Sequence, residues 1–194
     1  MREVQMNRDQ GIRPEAMGSS RLTADFFLRD VLEVAPALLG KVIVRCYPEG
    51  REERFVITET EAYRGTEDRA CHAGRGMTPR NQVMFGPGGV VYVYFIYGMY
   101  WMLNFVTGRE GDASAVLIRG LWDPEGQRRI EGPGRVGRLL ALDRSFYGET
   151  LATSQRLRVE DSPEKPAFTT HPRVGIHYAG EPWISMPWRF RIPS

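Results

Sequence analysis

The apolar pattern of the chain is densest over Val90–Val106, VVYVYFIYGMYWMLNFV, a run of seventeen residues without a charge. That length borders on what a membrane-spanning helix needs, but the residue types point elsewhere. Val, Tyr and Phe alternate, and β-branched and aromatic side chains suit a pleated strand. Tyr97-Gly98 interrupts the run, so the pattern predicts two strands and a tight turn. Hairpin tips are ordinarily polar, yet this one carries Tyr97, Met99 and Tyr100. Either another segment covers the tip and these are core residues, or they push into a partner.

Shorter patterns frame the hairpin. Thr23 is placed to cap a short helix through Phe26-Phe27-Leu28, and Asp30 a second through Leu32–Leu39, ended by Gly40. Lys41–Cys46 and Phe55–Tyr63 read as strands around a turn at Tyr47–Arg51. Ile57, Glu59, Glu61 and Tyr63 are expected on one face of the second. Residues 64–89 form a long glycine- and arginine-rich loop, of the kind that is usually functional. After a polar turn at Gly108–Asp112, Ala113–Trp122 reads as a buried strand containing Arg119. GPGRVGRLLAL (132–142) reads as a glycine turn feeding a short helix. Residues 145–166 read as mostly irregular, and Ala167–Ile176 and Trp188–Ile192 as closing strands. Strands do not alternate with helices, which argues against a doubly wound parallel sheet. The expected class is α+β: one domain over 21–194, a curved, mostly antiparallel sheet with peripheral helices and a protruding hairpin. Residues 1–20 are expected to be a flexible tail.

Composition narrows the function classes. The net charge is only +2, so the molecule is not a polycation, but of 26 cationic residues only Lys41 and Lys165 are lysines. Arginine suits bidentate phosphate contact and stacking, although a G+C-rich genome enriches arginine as well. Two cysteines, Cys46 and Cys71, without a C-x-x-C fit a reducing compartment. His72, His171 and His177 form no zinc spacing with them, so no metal is expected. The first twenty residues lack an apolar secretory core. A cytosolic protein is expected, bacterial-type and nucleoid-associated, or nuclear in a eukaryote.

Four constellations could carry chemistry. Glu61 and Tyr63 share a strand face, with His72 nine residues on: a carboxylate that can handle water beside flat surfaces for a flat ligand. Taken alone, a strand glutamate is more often solvated and a loop histidine more often a loop hydrogen-bonder. Tyr92 and Tyr94 share a face of the first hairpin strand. Arg119, inside an apolar strand, needs an anion. Glu61 is a candidate partner, and such a pair would lower the Glu61 pKa. Gly132-Pro133-Gly134-Arg135, with Arg138 a turn later, is a candidate anion site.

These pieces occur together in TETEAYRGTEDRACH (58–72), MTPRNQVMF (77–85), YVYFIYGMYWMLN (92–104), VLIRGLWDP (116–124), GPGRVGRLLAL (132–142) and PRVGI (172–176). In this order they closely resemble the alkyladenine (3-methyladenine) DNA glycosylase family, the antiparallel-sheet type rather than the helix–hairpin–helix type. The resemblance implies an enzyme that flips a damaged purine out of duplex DNA and hydrolyses its N-glycosidic bond. By it, Glu61 matches the general base, while Arg119 and the Val174 carbonyl match groups that hold the attacking water. Tyr63, His72 and Tyr94 match walls that sandwich the base. Ala70 and His72 match backbone contacts to its edge, and Asn104 a residue that disfavours guanine. Tyr97 matches the minor-groove wedge, with Met84, Met99 and Tyr100 beside it. Arg135 is a candidate DNA contact.

The expected partner is double-stranded DNA containing damaged purines, bound by a monomer with no cofactor and no membrane. A glycosylase-lyase needs an amine, and both lysines lie outside the motifs, so monofunctional hydrolysis is expected. Two departures bear on substrate range. The Asn104–Arg119 segment is slightly longer than in animal members, and Tyr178 stands where they have His. Two other classes remain open at this level: a lesion-binding module without hydrolysis, and a tRNA-binding domain of the kind appended to formyltransferases.

Overall fold

The computed structural model describes residues 20–193. The tail expected over 1–20 therefore lies, apart from Ser20, outside the described residues. The chain opens with two short helices, α1 (Ala24–Phe27) and α2 (Val31–Ala37). Asp30 caps α2, its carboxylate accepting the Leu32 N–H at 2.8 Å, whereas the Thr23 side chain makes no capping bond to α1. Nine strands follow: β1 (Val42–Cys46), β2 (Glu52–Tyr63), β3 (Val91–Ile96), β4 (Tyr100–Thr107), β5 (Ser114–Asp123), β6 (Arg128–Glu131), β7 (Leu157–Glu160), β8 (Thr169–His171) and β9 (Arg189–Arg191). A third helix, α3 (Pro133–Leu139), lies between β6 and β7. The strands form one curled sheet in the order β3-β4-β5-β2-β1-β7, with β6 added on β5 and β9 joining β2 to β8. Every pairing is antiparallel. The class is α+β, as the pattern predicts.

Three segments differ from expectation. Leu157–Glu160 is a strand inside the stretch read as mostly irregular, because β1 offers it an open edge to pair with. β6 is a strand that the pattern does not predict, just before the glycine turn. Of Ala167–Ile176, only Thr169–His171 is strand, and the PRVGI segment is a loop.

The sheet has two buried faces, and side-chain alternation sorts the residues between them. In β3 and β4 the odd positions Val91, Val93, Leu103 and Phe105 enter the main core with all three helices. Tyr92 and Val106 turn to the other face, where they pack with Cys71, Ala73, Met84 and Ala115. In β2 the alternation breaks. Phe55 and Ile57 face the main core, but so does Ala62, and the Thr60 hydroxyl donates to the Ala35 carbonyl of α2. Irregularities in the β2–β5 register at Ile57/Glu59 and Glu59/Thr60 account for the change of phase. Ile57 is therefore not on the face of Glu59, Glu61 and Tyr63, contrary to the simple period of two. A bulge re-aims the side chains beyond it. Gly120 makes the bulge possible, since a Cβ there would lie 2.9 Å from both the Glu59 Cβ and the Thr58 Oγ1.

The β3–β4 hairpin closes through Met99 N–H donating to the Ile96 carbonyl. Its turn residues Tyr97 and Gly98 have φ of 54° and 66°, the positive pair that a type I′ turn demands. The run of seventeen apolar residues is thus a hairpin, and no helix of the described residues is long and apolar enough to cross a membrane. Behind it, α3 packs directly on β4: a Cβ at Gly137 would come within 1.9 Å of the Trp101 carbonyl, and one at Gly134 within 2.8 Å of the Tyr100 ring. Two glycines of GPGRVGR thus serve close helix–strand approach.

Candidate functional site

The sheet register builds the site. Antiparallel pairing places Tyr92 opposite Asn104, Asn104 opposite Leu117, Leu117 opposite Glu61 and Glu61 opposite Arg189. This row crosses five strands, and Tyr92, Asn104, Leu117 and Arg189 in it form the floor of a cleft of about 790 Å³. The loop over 64–89, the PRVGI segment and the start of α3 make its walls. Of the residues singled out from sequence for catalysis, the base pocket or DNA contact, Glu61, Met99 and Arg138 do not line it. Glu61 lies beneath the floor, fully buried, and Met99 stands out at the hairpin tip.

Glu61 is held by three groups. Its Oε1 accepts the Val174 N–H at 2.8 Å, its Oε2 accepts the Tyr63 hydroxyl at 2.8 Å, and the Arg119 Nε lies 3.4 Å from Oε1. Arg119 is closer to a second carboxylate, donating to Glu59 Oε1 at 3.2 Å, and Arg189 donates to the same oxygen at 3.0 Å. Arg119 therefore divides its charge between two glutamates. Burial pushes the Glu61 carboxyl up, and Arg119, the Val174 amide and the Tyr63 hydroxyl only oppose that shift. This corrects the expectation of a lowered pKa: desolvation of a fully buried carboxylate outweighs a shared guanidinium. Val174 meets Glu61 through its amide, whereas its carbonyl is the group that the resemblance assigns to the attacking water.

One wall is aromatic. The His72 and Tyr94 rings meet edge to face at 4.6 Å, and Tyr92 lies 5.4 Å from Tyr94. His72 Nδ1 is hydrogen-bonded to the Tyr92 hydroxyl at 2.8 Å, and the His72 carbonyl accepts from Asn81 Nδ2 at 2.9 Å. Burial, helped by Arg80, pushes the imidazole down to about 4, so the ring is neutral at physiological pH. Burial likewise raises the phenols of Tyr63, Tyr92 and Tyr94. They are neutral hydroxyls and flat surfaces. The Asn104 Nδ2 donates to the Tyr92 carbonyl at 3.0 Å, which fixes the amide in the floor.

The Ala70 backbone is engaged within the chain. Its N–H donates to Asp68 Oδ1 at 2.9 Å, and its carbonyl accepts the Tyr178 hydroxyl at 3.1 Å. Both backbone groups already have partners within the chain. Met84 departs from its expected place beside the tip. It is buried in the cluster with Tyr92, because the turn over Gln82–Phe85 folds it inward. The tip itself is bare: Tyr97 is 76% exposed and Met99 59%. Tyr100 instead lies against α3, with Arg138 over its ring at 5.4 Å. Arg135 is exposed in the first turn of α3, beside the cleft.

Sequence reasoning passed over four charged residues here: Glu59, Asp68, Arg173 and Arg189. The only available signal was their place inside motifs already noted, two residues before Glu61, within the DRACH stretch, within PRVGI and in the last strand. Among the described residues, no three His, Cys, Asp or Glu side chains converge to hold a metal ion.

The fold and the cleft define an α+β protein whose sheet carries a buried carboxylate under aromatic walls. The Methylpurine-DNA glycosylase (MPG) family matches residues 25–194. A protein of Methanocella arvoryzae is 44% identical over 183 residues, covering 87% of this chain and 90% of its own. One from Anaeromyxobacter dehalogenans is 46% identical over 175 residues, covering 89% and 83%, and one from Legionella pneumophila 42% over 175 residues, covering 89% and 94%. Each of the three bears the name "Putative 3-methyladenine DNA glycosylase". The chain belongs to the methylpurine-DNA glycosylase family.

Proposed function

We propose that this chain is a monofunctional glycosylase that takes a damaged purine out of duplex DNA and hydrolyses its N-glycosidic bond, leaving an abasic site. The observation that carries the reading is Glu61, buried under an aromatic cleft and held by Val174, Tyr63 and Arg119, with Tyr97 exposed on the hairpin tip that lines the cleft. Enzymes that act on a base extrude it from the stack at a cost of a few kcal/mol. Stacking on an aromatic side chain returns about 1–3 kcal/mol per base, which Tyr63, His72 and Tyr94 can supply. A purine made cationic by alkylation gains further against tyrosine faces and meets no repulsion from a neutral His72. Tyr97, at the tip, is the group to fill the vacated place in the duplex.

Glu61 has the properties of a general base. Its raised pKa makes it a better proton acceptor than an exposed carboxylate, and each of its oxygens has a second lone pair for a water. That water attacks the sugar C1′ while the C1′–N bond breaks. The bond's electron pair leaves with the purine, and the water's proton goes to Glu61. The anionic carboxylate also stabilises positive charge growing on the sugar. Lys41 is engaged with Asp161 at 2.5 Å and with the Ser162 carbonyl, and neither lysine lines the cleft. This supports hydrolysis rather than Schiff-base chemistry.

The test is release of free base from duplexes carrying a single 3-methyladenine, hypoxanthine or ethenoadenine. Glu61→Gln is expected to lower the single-turnover rate by about 10²–10⁴-fold while still binding the duplex. An equal rate in parent and variant would remove Glu61 from the mechanism. Lesion binding without any release by the parent would point to a non-catalytic module.

A further inference from the structure

Beneath the cleft lies an ion pair that the mechanism above does not use. Arg173 and Asp68 have wholly buried side chains. The Arg173 guanidinium is bound to Asp68 through both terminal nitrogens, Nη1 to Oδ2 at 2.5 Å and Nη2 to Oδ1 at 3.0 Å. Nη1 also donates to the Ala62 carbonyl at 3.0 Å. The planar group lies 4.8 Å from the Tyr63 ring centre and 4.9 Å from that of Trp188. Asp68 in turn accepts the N–H groups of Arg64 and Ala70.

This pair joins two of the three segments that hold Glu61. Arg173 immediately precedes Val174, whose amide binds one Glu61 oxygen, and it stacks on Tyr63, whose hydroxyl binds the other. Through Asp68 it also anchors the loop that carries Ala70 and His72. A buried ion pair often contributes less stability than packed hydrophobic groups would, so net stability alone is a weak reason for one here. Only a planar fork makes two carboxylate bonds and stacks at once.

We propose that Arg173 and Asp68 are positioning residues that hold the Val174 amide and the Tyr63 ring in place on Glu61. The role rests on the glycosylase reading above. Besides Val174, Glu61 faces Arg119 on β5 and Glu59 and Tyr63 on its own strand, and Arg189 on β9 reaches it through Glu59. Of these groups, the Arg173–Asp68 pair directly supports Val174 and Tyr63. Both stabilise the ionised carboxylate, so loosening them raises the pH at which Glu61 becomes active.

The experiment measures single-turnover excision against pH for the parent, Arg173→Lys and Asp68→Asn. It uses whichever of the three lesion duplexes the parent cuts best, and affinity is measured with the same duplex carrying a tetrahydrofuran abasic analogue. Arg173→Lys keeps the charge and loses the fork. Its rate is expected to fall about 10- to 100-fold, as small misplacements of reacting groups do, with affinity within about threefold of the parent. The acid limb should move to higher pH. Asp68→Asn should move the limb in the same direction, and it carries the test if Arg173→Lys does not fold. Val159→Ala, in the main core, supplies a destabilised control that should keep the parent's rate and limb. Parental rate and limb in either folded variant overturn the proposal, as does a loss that Val159→Ala shares. No excision by the parent itself overturns the glycosylase reading and this role together, whereas excision at equal rates overturns this role alone.

Discussion

His72 shows how one side chain can tie packing to pH. Its imidazole is buried against Tyr92 and Tyr94 and titrates near 4, against an ordinary value of 6.5. As pH falls, the unfolded chain takes up this proton before the folded one does. The stabilisation is therefore complete above pH 6.5 and is lost between pH 6.5 and 4, a total of about 3 kcal/mol at about 1.4 kcal/mol per pKa unit. In urea unfolding, the parent should lose about 2 kcal/mol more than His72→Gln between pH 7 and pH 4.5. Equal losses would mean that the ring is already charged in the folded state. Glu61 shows the same competition with the opposite charge type. The expected pairing with Arg119 predicted a lowered pKa, but the guanidinium is shared with Glu59 and desolvation dominates. Identity and spacing revealed the partners, whereas burial decided the sign.

The hairpin carries the corresponding lesson for elements. A two-residue turn with both φ positive favours Asn-Gly, and Tyr97 occupies the first place at φ 54°. A left-handed bulky residue costs about 1–2 kcal/mol. Tyr97→Asn should therefore raise the melting temperature by about 2–4 °C. It should also weaken binding to a lesion duplex by about tenfold or more, through loss of the wedge. Unchanged affinity would leave the exposed ring without a role in DNA. The hairpin, the capped helix α2 and the strand containing Glu61 were all legible as patterns, because local period and turn chemistry specify them. β7 and β6 were not. Four-residue strands carry too little pattern of their own and exist because a neighbouring edge pairs with them. The facing of Ile57 was misread for a similar reason, since a bulge against Gly120 leaves no mark in the alternation of β2 alone.

Across the whole molecule, charge is sorted rather than abundant. The net charge is +2, so long-range attraction to DNA is weak and affinity must come from local contacts. Across β1, β2 and β7, Arg54 is paired with Glu160 and Arg158 with Glu52 and Glu160. Beside the cleft, Arg135 and Arg138 are exposed and, among the described residues, have no acidic partner. If Arg135 meets a phosphate, Arg135→Ala should weaken binding about equally on lesion and undamaged duplexes. It should also reduce the slope of log K against log salt by about one. A slope that does not change would place Arg135 off the DNA path. The short helix α3 holds that arginine because Gly134 and Gly137 let it approach β4, so Gly134, one glycine of the candidate anion site, also serves packing.

Residue types and local periods carried the family resemblance, the antiparallel class, the hairpin and most of the cleft-lining residues, since these depend on motifs and neighbours along the chain. The row from Tyr92 through Asn104 and Leu117 to Glu61 needed the register of four strands. The Arg173–Asp68 pair spans 105 positions, and the engagement of Ala70 with Asp68 and Tyr178 follows from how loops close over the sheet. Those contacts, and the desolvation that sets the pKa directions of Glu61 and His72, arise only when distant segments exclude water together.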